Sequence, residues 1–203
     1  MKTSIWRRTL LAAMAIGASS LALNTTTSAS ASGDRPRARA TLVDTGGVEV
    51  GRVVFKGRGD HVSNVEVTIF ASAAPNLGDF HGFHIHTAGV CDPAPSGSTN
   101  VPFGSAGGHW NPTAAGHGAH TGDMPSVLIN ANGKTEAEFD TDRFDIAALV
   151  DPDGSAVILH VGRDNFANIP AVYSSAGVPG PNAATLATGD AGGRYACGVV
   201  RRV

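Results

Sequence analysis

The sequence predicts an all-β domain, either a β-sandwich or a flattened barrel, with two long loops. Glycine and proline are frequent (26 and 11 residues), and aromatic residues make up only 6% of the chain. Short runs of Val, Ile and Thr alternate with polar residues and are separated by turn residues. The 203 residues are enough for an export signal and one domain with its own core.

The amino terminus has the features of a secretory signal. Lys2 and Arg7-Arg8 precede an apolar run from Leu10 to Leu23, and Ala29-Ser30-Ala31 fits an A-x-A cleavage site. A membrane anchor is the alternative, but small and polar residues interrupt the run, which is shorter than the roughly 20 residues that a spanning helix needs. The arginine pair also partly fits a twin-arginine signal, so the export route stays open.

We therefore expect a signal peptide over residues 1–31, a polar leader over 32–39 and one domain over 40–203. The mature protein should be exported to the periplasm, the cell envelope or the medium, without stable membrane insertion. Lys plus Arg number 15 against 17 Asp plus Glu, and no basic block is present. This balance argues against nucleic acid as a partner.

The strands follow from period-two alternation. Gly46-Gly47 predicts a hairpin between the first two strands, and Gly51 marks a change of register in the second. These half-buried strands are predicted from their alternating apolar residues, which are Val48, Val50, Val53, Phe55, Val62, Val65, Val67 and Ile69. Further strands are predicted at GFHIHT, PSVLINANG, KTEAEFDT, DGSAVILHVG and YACGVV.

Two segments fit no strand, one from Cys91 to about Pro125 and one from Val161 to Arg194. Both are rich in Gly, Pro, Ser and Asn. Loops of this length in a compact domain are usually functional or disordered.

Six of the eight histidines fall in three places. His84 and His86 lie two apart in a predicted strand, so both side chains leave the same face. The strand AVILH ends in His160. The first long loop adds His109, His117, His120 and Asp123. Imidazoles with one carboxylate are the ligands that zinc and copper prefer.

The spacing divides these residues between two ions. His117, His120 and Asp123 recur at every third position of a Gly-rich loop, which suits a small tetrahedral ion such as zinc if a fourth ligand comes from upstream. A second ion would then take His84, His86 and His160.

Cys91 and Cys197 are the only cysteines. In an exported chain they are most simply interpreted as one disulfide, which would be worth roughly 4 to 5 kcal/mol for a loop of this length. Two free thiols, or a pair of soft metal ligands, remain the alternative.

The segments GFHIHTAGVC, SAGGHWNP, HGAHTGD, ILH and GDAGGRYACGVV resemble, in the same order, the signature segments of the copper/zinc superoxide dismutases. The resemblance implies a Greek-key, flattened eight-stranded barrel and a disulfide between Cys91 and Cys197. It implies a copper ion and a zinc ion that share His109. The copper ligands would be His84, His86, His109 and His160, and the zinc ligands His109, His117, His120 and Asp123.

The same resemblance assigns further roles. Asp164 would join His84 to His117 through their outer nitrogens. Arg194 would attract superoxide at the mouth of the copper channel, beside Thr188, and His109 would take part in catalysis as the bridging imidazole. Copper cycling between Cu(II) and Cu(I) would oxidise one superoxide to oxygen and reduce the next to hydrogen peroxide. The sequence leaves the oligomeric state open, with a homodimer as one candidate.

The loop DPAPSGSTNVPF and Ala187, in place of a frequent lysine, depart from the animal enzymes and favour the bacterial exported type. Arg163 is a candidate to supply some of the positive charge that a lysine provides at the position of Ala187 in the animal enzymes. Three other functions stay open: a copper carrier of the same fold, a zinc hydrolase, and a structural or adhesive β-sandwich.

Overall fold

The computed structural model describes residues 35–59, 61–97 and 100–203. The expected signal peptide over 1–31 lies outside the described residues. The first strand begins at Arg37 and includes the last residues of the expected leader, because Arg37, Ala38 and Arg39 pair with the next strand and Ala38 is fully buried.

Strands dominate the described residues. They are β1 (Arg37–Asp44), β2 (Glu49–Gly59), β3 (Val62–Phe70), β4 (Asp79–His81), β5 (Phe83–His86), β6 (Val127–Ile129), β7 (Lys134–Thr141), β8 (Ala156–His160), β9 (Ser174–Ser175), β10 (Val178–Pro179), β11 (Arg194–Val199) and β12 (Arg201–Arg202). Helical segments are short: a 3₁₀ turn at Gly104–Ala106, α1 at Ile146–Leu149 and α2 at Ala183–Thr188.

One antiparallel sheet of eight strands forms the body of the fold. Its order is β5-β8-β11-β1-β2-β3-β7, and β12 also pairs with β1. β4 pairs with β6, and β9 pairs with β10. The sheet curls on itself, which confirms the predicted all-β class and the barrel-like sandwich.

The predicted hairpin joins β1 and β2. Gly47 takes a φ of 79°, and the Asp44 carboxylate accepts hydrogen bonds from the amides of Gly46 and Val48, each 2.9 Å long. Val48 lies before β2, which begins at Glu49, and is 60% exposed, so the prediction that Val48 belongs to a half-buried strand is wrong. The register does shift beside Gly51, which pairs with Leu42.

Alternation along β5 separates the core from the histidines. Phe83 and Ile85 point into the main core, where Val157 and Leu159 of β8 join them. His84 and His86, and Ile158 and His160 of β8, therefore lie on the opposite face. All of β5 and β8 is nevertheless buried, because loops cover that second face.

The segment after Cys91 provides part of this cover. Phe103, Ala106 and Ile158 form a small second core with Cys197. Cys91 and Cys197 form the expected disulfide, with 5.7 Å between their Cα atoms.

The two long loops are present at the predicted positions. The first leads from β5 to β6, and the second leads from β8 to β11 and contains the hairpin β9-β10 and helix α2, which the sequence analysis did not predict. In the part of the chain that is described, no helix has the length and apolar character needed to cross a membrane.

Candidate metal centre

The fold brings seven predicted ligands into two neighbouring groups that share His109. Within each group the donor atoms lie no more than 4.8 Å apart. The first group is His84, His86, His109 and His160, and the second is His109, His117, His120 and Asp123.

The first long loop runs along the free edge of β5, and this contact sets the position of His109. The Trp110 amide donates to the Ile85 carbonyl at 2.8 Å, and the Thr87 amide donates to the Gly108 carbonyl at 3.1 Å. The Ile85 amide donates to the Gly122 carbonyl, also at 2.8 Å. His109 is thereby held directly opposite His86.

In the first group, one nitrogen of each strand histidine is fixed and the other has no partner. Fixing one nitrogen sets the orientation of the ring. The fixed contacts are His84 Nε2 with Asp164 Oδ2 at 2.6 Å, His86 Nδ1 with the Gly107 carbonyl at 3.0 Å, and His160 Nδ1 with the Gly192 carbonyl at 3.1 Å. The opposite nitrogens, His84 Nδ1, His86 Nε2 and His160 Nε2, are buried without a hydrogen-bond partner among the described residues. Such nitrogens fit a copper ion, which prefers imidazole ligands.

The second group has the dimensions of a tetrahedral site. The Nδ1 atoms of His109 and His120 lie 3.4 and 3.3 Å from Asp123 Oδ1, and that of His117 lies 3.4 Å from Asp123 Oδ2. The two separations from Oδ1 are close to the edge of about 3.3 Å of a tetrahedron whose centre lies about 2.0 to 2.1 Å from each donor, as in zinc sites. The three Nδ1 atoms and Asp123 Oδ1 are buried without a hydrogen-bond partner within the described chain.

The loop backbone orients the Asp123 carboxylate. Its Oδ2 accepts hydrogen bonds from the amides of Gly118 and His120, at 2.7 and 3.1 Å. Oδ1 therefore stays available to an ion. Burial raises the pKa of Asp123, but the neighbouring His109, His117 and His120 outweigh it and leave the pKa below its ordinary value.

Asp164 links the two groups from behind. Its Oδ2 contacts His84 Nε2, and its Oδ1 lies 2.8 Å from His117 Nε2 and accepts the Phe166 amide at 2.7 Å. Burial alone would raise the pKa of Asp164, but the hydrogen bonds with His117 and His84 outweigh it and hold the pKa well below its usual range. An ionised carboxylate at this position keeps the inner nitrogens of both rings free of protons.

Burial also favours the neutral form of four of the ligand histidines, His84, His86, His120 and His160. It lowers the pKa of His84 to about 4, although the hydrogen bond that His84 donates to Asp164 acts in the opposite direction and raises this pKa. Burial lowers the pKa of His86 and His160 well below the ordinary value, and lowers that of His120 as well. Neutral imidazole is the form that binds a metal.

Arg194 lies at the edge of a cleft of about 530 Å³ that reaches the first group. Its guanidinium donates to the carbonyl oxygens of Phe103 and Gly107, and the Gly107 carbonyl also accepts from His86. Thr188 lines the same cleft. Burial lowers the pKa of Arg194, although an arginine in a protein stays charged.

Among the other predicted residues, Arg163 does not line this cleft. Its Nε donates to Asp79 Oδ1 at 2.6 Å, and its side chain is 73% exposed. His81 is buried, and its Nδ1 lies 2.8 Å from the carbonyl oxygen of His160, while His61 lies on the surface with Nδ1 2.9 Å from Asp145. Neither of these two histidines belongs to a metal-binding group found among the described residues.

Two buried groups of donor atoms that share one histidine form the pattern of a dinuclear site. A family model described as copper/zinc superoxide dismutase matches residues 49–200, which include all seven donor residues. The chain belongs to this family.

Several bacterial copper/zinc superoxide dismutases match the chain. The protein of Mycolicibacterium paratuberculosis is 44% identical over 128 residues, and the match covers 60% of this chain but only 56% of that protein. The protein of Deinococcus radiodurans is 31% identical over 198 residues, or 90% of this chain and 94% of that one. The protein of Escherichia coli K12 is 31% identical over 167 residues, or 76% and 87%.

Two solved structures resemble the dismutase fold of this chain. A SOD-like protein from Bacillus subtilis has a TM-score of 0.58 and 25% identity, covering 79% of this chain and 96% of that one. The clock protein EA4 has a TM-score of 0.60 and 26% identity, covering 81% and 92%.

Three further residues of this dismutase-family site were missed by the sequence analysis. The Gly107 carbonyl joins His86 to Arg194, and the Arg143 side chain bonds the carbonyls of Gly118 and His120. Gly189, at φ 61°, packs against Asp164. No motif marked Arg143, whereas Gly107 lies in SAGGHWNP and Gly189 is the first residue of GDAGGRYACGVV, so these two segments could have drawn attention to both glycines.

Proposed function

We propose that this protein is an exported copper/zinc superoxide dismutase, which converts two superoxide anions and two protons into oxygen and hydrogen peroxide. The observation that carries the proposal is the pair of buried donor groups that share His109. Every donor residue has one buried atom with no hydrogen-bond partner in the described part of the chain, and most have a second atom held by a hydrogen bond, as a preformed metal centre requires.

The two donor groups indicate which ion each of them binds. We assign His84, His86, His109 and His160 to copper, which supplies one-electron redox chemistry, and His109, His117, His120 and Asp123 to zinc, which supplies none. The four-ligand zinc set is closed, which argues against a hydrolase because a catalytic zinc keeps one position open.

His109 is the residue best placed to handle a proton. Its Nδ1 belongs to the zinc group and lies 3.4 Å from Asp123, which leaves Nε2 for the copper side. The ring can hold a proton at Nε2 and release it toward the cleft that His109 lines. Peroxide formation needs two protons, and this nitrogen can supply one of them.

Arg194 and Thr188 form the mouth of the site. The carbonyls of Phe103 and Gly107 orient the guanidinium. A fixed positive charge beside the donor group attracts a small anion and can hydrogen-bond it. The oriented arginine is a feature that a copper carrier does not need.

The location and assembly belong to the same proposal. The signal peptide predicted over 1–31 and the disulfide between Cys91 and Cys197 support export to the periplasm, the cell envelope or the medium. We expect a mature chain that is not inserted in a membrane, and a homodimer is the association state to test by light scattering.

Metal analysis of the purified mature protein, with superoxide assays before and after chelation, tests the proposal. About one copper and one zinc per chain, with activity that chelation removes, is the expected result. Zinc alone without activity would favour a hydrolase or a structural protein, and copper without activity would favour a carrier.

Three variants test the residue assignments. His86→Ala should lose copper and retain zinc, whereas His120→Ala should lose zinc. His61→Ala is the matched control, because His61 lies outside both donor groups and should leave both metals in place. Equal loss of both metals in the first two variants would contradict the division between the ions.

A further inference from the structure

Arg143 lies outside the metal centre and donates hydrogen bonds to the loop that carries the proposed zinc ligands His117 and His120. It lies between β7 and α1, and its Nη1 donates to the His120 carbonyl at 2.8 Å while its Nη2 donates to the Gly118 carbonyl at 3.0 Å. The two acceptors are 23 and 25 residues away along the chain. The planar guanidinium suits such a two-point contact, which a lysine cannot reproduce.

The same two residues also orient the carboxylate ligand. The amides of Gly118 and His120 donate to Asp123 Oδ2, at 2.7 and 3.1 Å. Each residue thus directs its amide inward to Asp123 and its carbonyl outward to Arg143. Asp123 Oδ1 is left buried, unpartnered in the described chain and 3.3 Å from His120 Nδ1.

The backbone at Arg143 is anchored by the packing of the next residue in the core. Phe144, the next residue, is only 4% exposed. Its ring lies 6.1 Å from that of Phe55 and 6.4 Å from that of Trp110, which follows the shared His109. The arginine therefore extends from the core to the loop.

We infer that Arg143 is a positioning residue for zinc, which holds the Gly118–His120 backbone so that Asp123 presents Oδ1 to the ion before the ion arrives. The inference rests on the proposed zinc assignment. The loop around these residues consists of turns and bends without regular structure. Holding it in the binding conformation reduces the entropy that zinc binding would otherwise have to offset.

The experiment compares zinc release in wild type, Arg143→Met and Arg143→Lys, using the complete mature protein loaded with both metals. A chromogenic zinc chelator gives the release rate, and competition with the same chelator gives the zinc affinity. We expect Arg143→Met to bind zinc about tenfold more weakly, within the range seen when contacts behind metal ligands are removed. Arg143→Lys should be intermediate, and copper affinity should stay within about twofold in both.

Arg58→Gln is the matched control. Arg58 is also a surface arginine with two partners, Glu138 and Asp140, but neither lies in the metal loop. Its zinc release should equal that of wild type. The melting temperatures of the metal-free forms should agree between Arg143→Met and Arg58→Gln, since the effect should depend on zinc.

Zinc release from Arg143→Met at the wild-type rate would overturn the inference and leave the proposed function intact. An equal loss of copper affinity would also overturn it, because it would indicate general destabilisation. Failure of the wild-type protein to take up zinc would instead overturn the zinc assignment of the proposed function.

Discussion

Asp164 Oδ2 lies 2.6 Å from His84 Nε2, and both side chains are almost completely buried. The second oxygen of the same carboxylate contacts His117, so a single residue orients one donor of each metal group. An asparagine has one acceptor oxygen and an amide that donates, so it cannot accept from both rings. We expect Asp164→Asn to weaken retention of both metals by about 10- to 100-fold.

Metal content after dialysis against graded chelator measures this effect. Asp145→Asn is a matched control, because Asp145 also faces a histidine nitrogen, that of His61 at 2.9 Å, on the protein surface. Retention of copper and zinc by Asp164→Asn at the level of the control would show that the carboxylate does not support the ligands.

Gly189 leaves room for this arrangement. A Cβ at this position would lie 1.9 Å from Asp164 Oδ1 and 2.3 Å from His117 Nε2. Gly189→Ala should therefore separate Asp164 from His117 and lower zinc affinity by at least about tenfold.

Backbone strain must be separated from this clash. Gly177 in the β9-β10 hairpin also has a positive φ, of 81°, but a Cβ there would meet nothing within 4 Å. Gly177→Ala should therefore carry the strain without the loss of zinc. If both variants lose zinc equally in chelator competition, the steric explanation is wrong.

The stability of the metal-free protein should fall between about pH 6.5 and pH 4. Burial lowers the pKa of His84 to about 4, against about 6.5 in an unfolded chain. In this window the unfolded chain binds a proton that the native chain excludes, so acid favours unfolding. Protonation linked to His84 alone should lower the free energy of unfolding by about 3 kcal/mol at pH 4. His86 and His160 should lower it further, because their pKa values are also lowered.

Urea unfolding at several pH values measures how the free energy of unfolding depends on pH. His84→Gln should weaken this dependence, and His61→Ala should leave it unchanged. A free energy of unfolding that stays constant from pH 6.5 to pH 4.5 would contradict the argument. Asp164 acts below this window, since its pKa is lowered and its contribution is lost only as the pH falls through that lower value.

The cleft that reaches the proposed copper ligands His86, His109 and His160 contains charges of both signs. Besides the histidines, the charged residues that line it in the described chain are Arg194 and Asp190. The Asp190 carboxylate is fixed by Asn165 and Thr185, each at 2.8 Å. It opposes the field that draws an anion to Arg194, so Asp190→Asn should raise kcat/KM for superoxide about two- to threefold at low ionic strength.

Rates measured over a range of salt concentrations test this effect, which screening should remove at high salt. Glu136→Gln is the control, because it removes an exposed carboxylate of β7 that does not line the cleft. Arg163→Ala should also leave the salt dependence nearly unchanged, since Asp79 neutralises Arg163. An unchanged or lower rate in Asp190→Asn would refute the electrostatic argument.

Much of the site could be predicted because ligands are side chains that recur at fixed positions in recognisable segments. Strand alternation places His84 and His86 on one face, and spacing in a Gly-rich loop groups His117, His120 and Asp123. The role of His109 as a ligand of both ions follows from the family resemblance. The contacts of Arg143 and of the Gly107 carbonyl could not be predicted, since they join backbone atoms to side chains distant in sequence. Val48 illustrates a second limit, because the alternating pattern does not mark the residue at which a turn ends and a strand begins.

The pairing of β5 with the loop around Trp110 has a consequence for self-association. β5 is the last strand of the sheet. Within the described residues, the Ile85 amide and carbonyl on its outer edge are hydrogen-bonded to Gly122 and Trp110 of that loop. If loss of the metal ions detached this loop, the Ile85 amide and carbonyl would be exposed to a strand from another copy of the chain. Exposed strand edges favour such intermolecular pairing. Metal loading should therefore protect this chain from aggregation, and slower amide exchange at Ile85 in the loaded protein would reveal it.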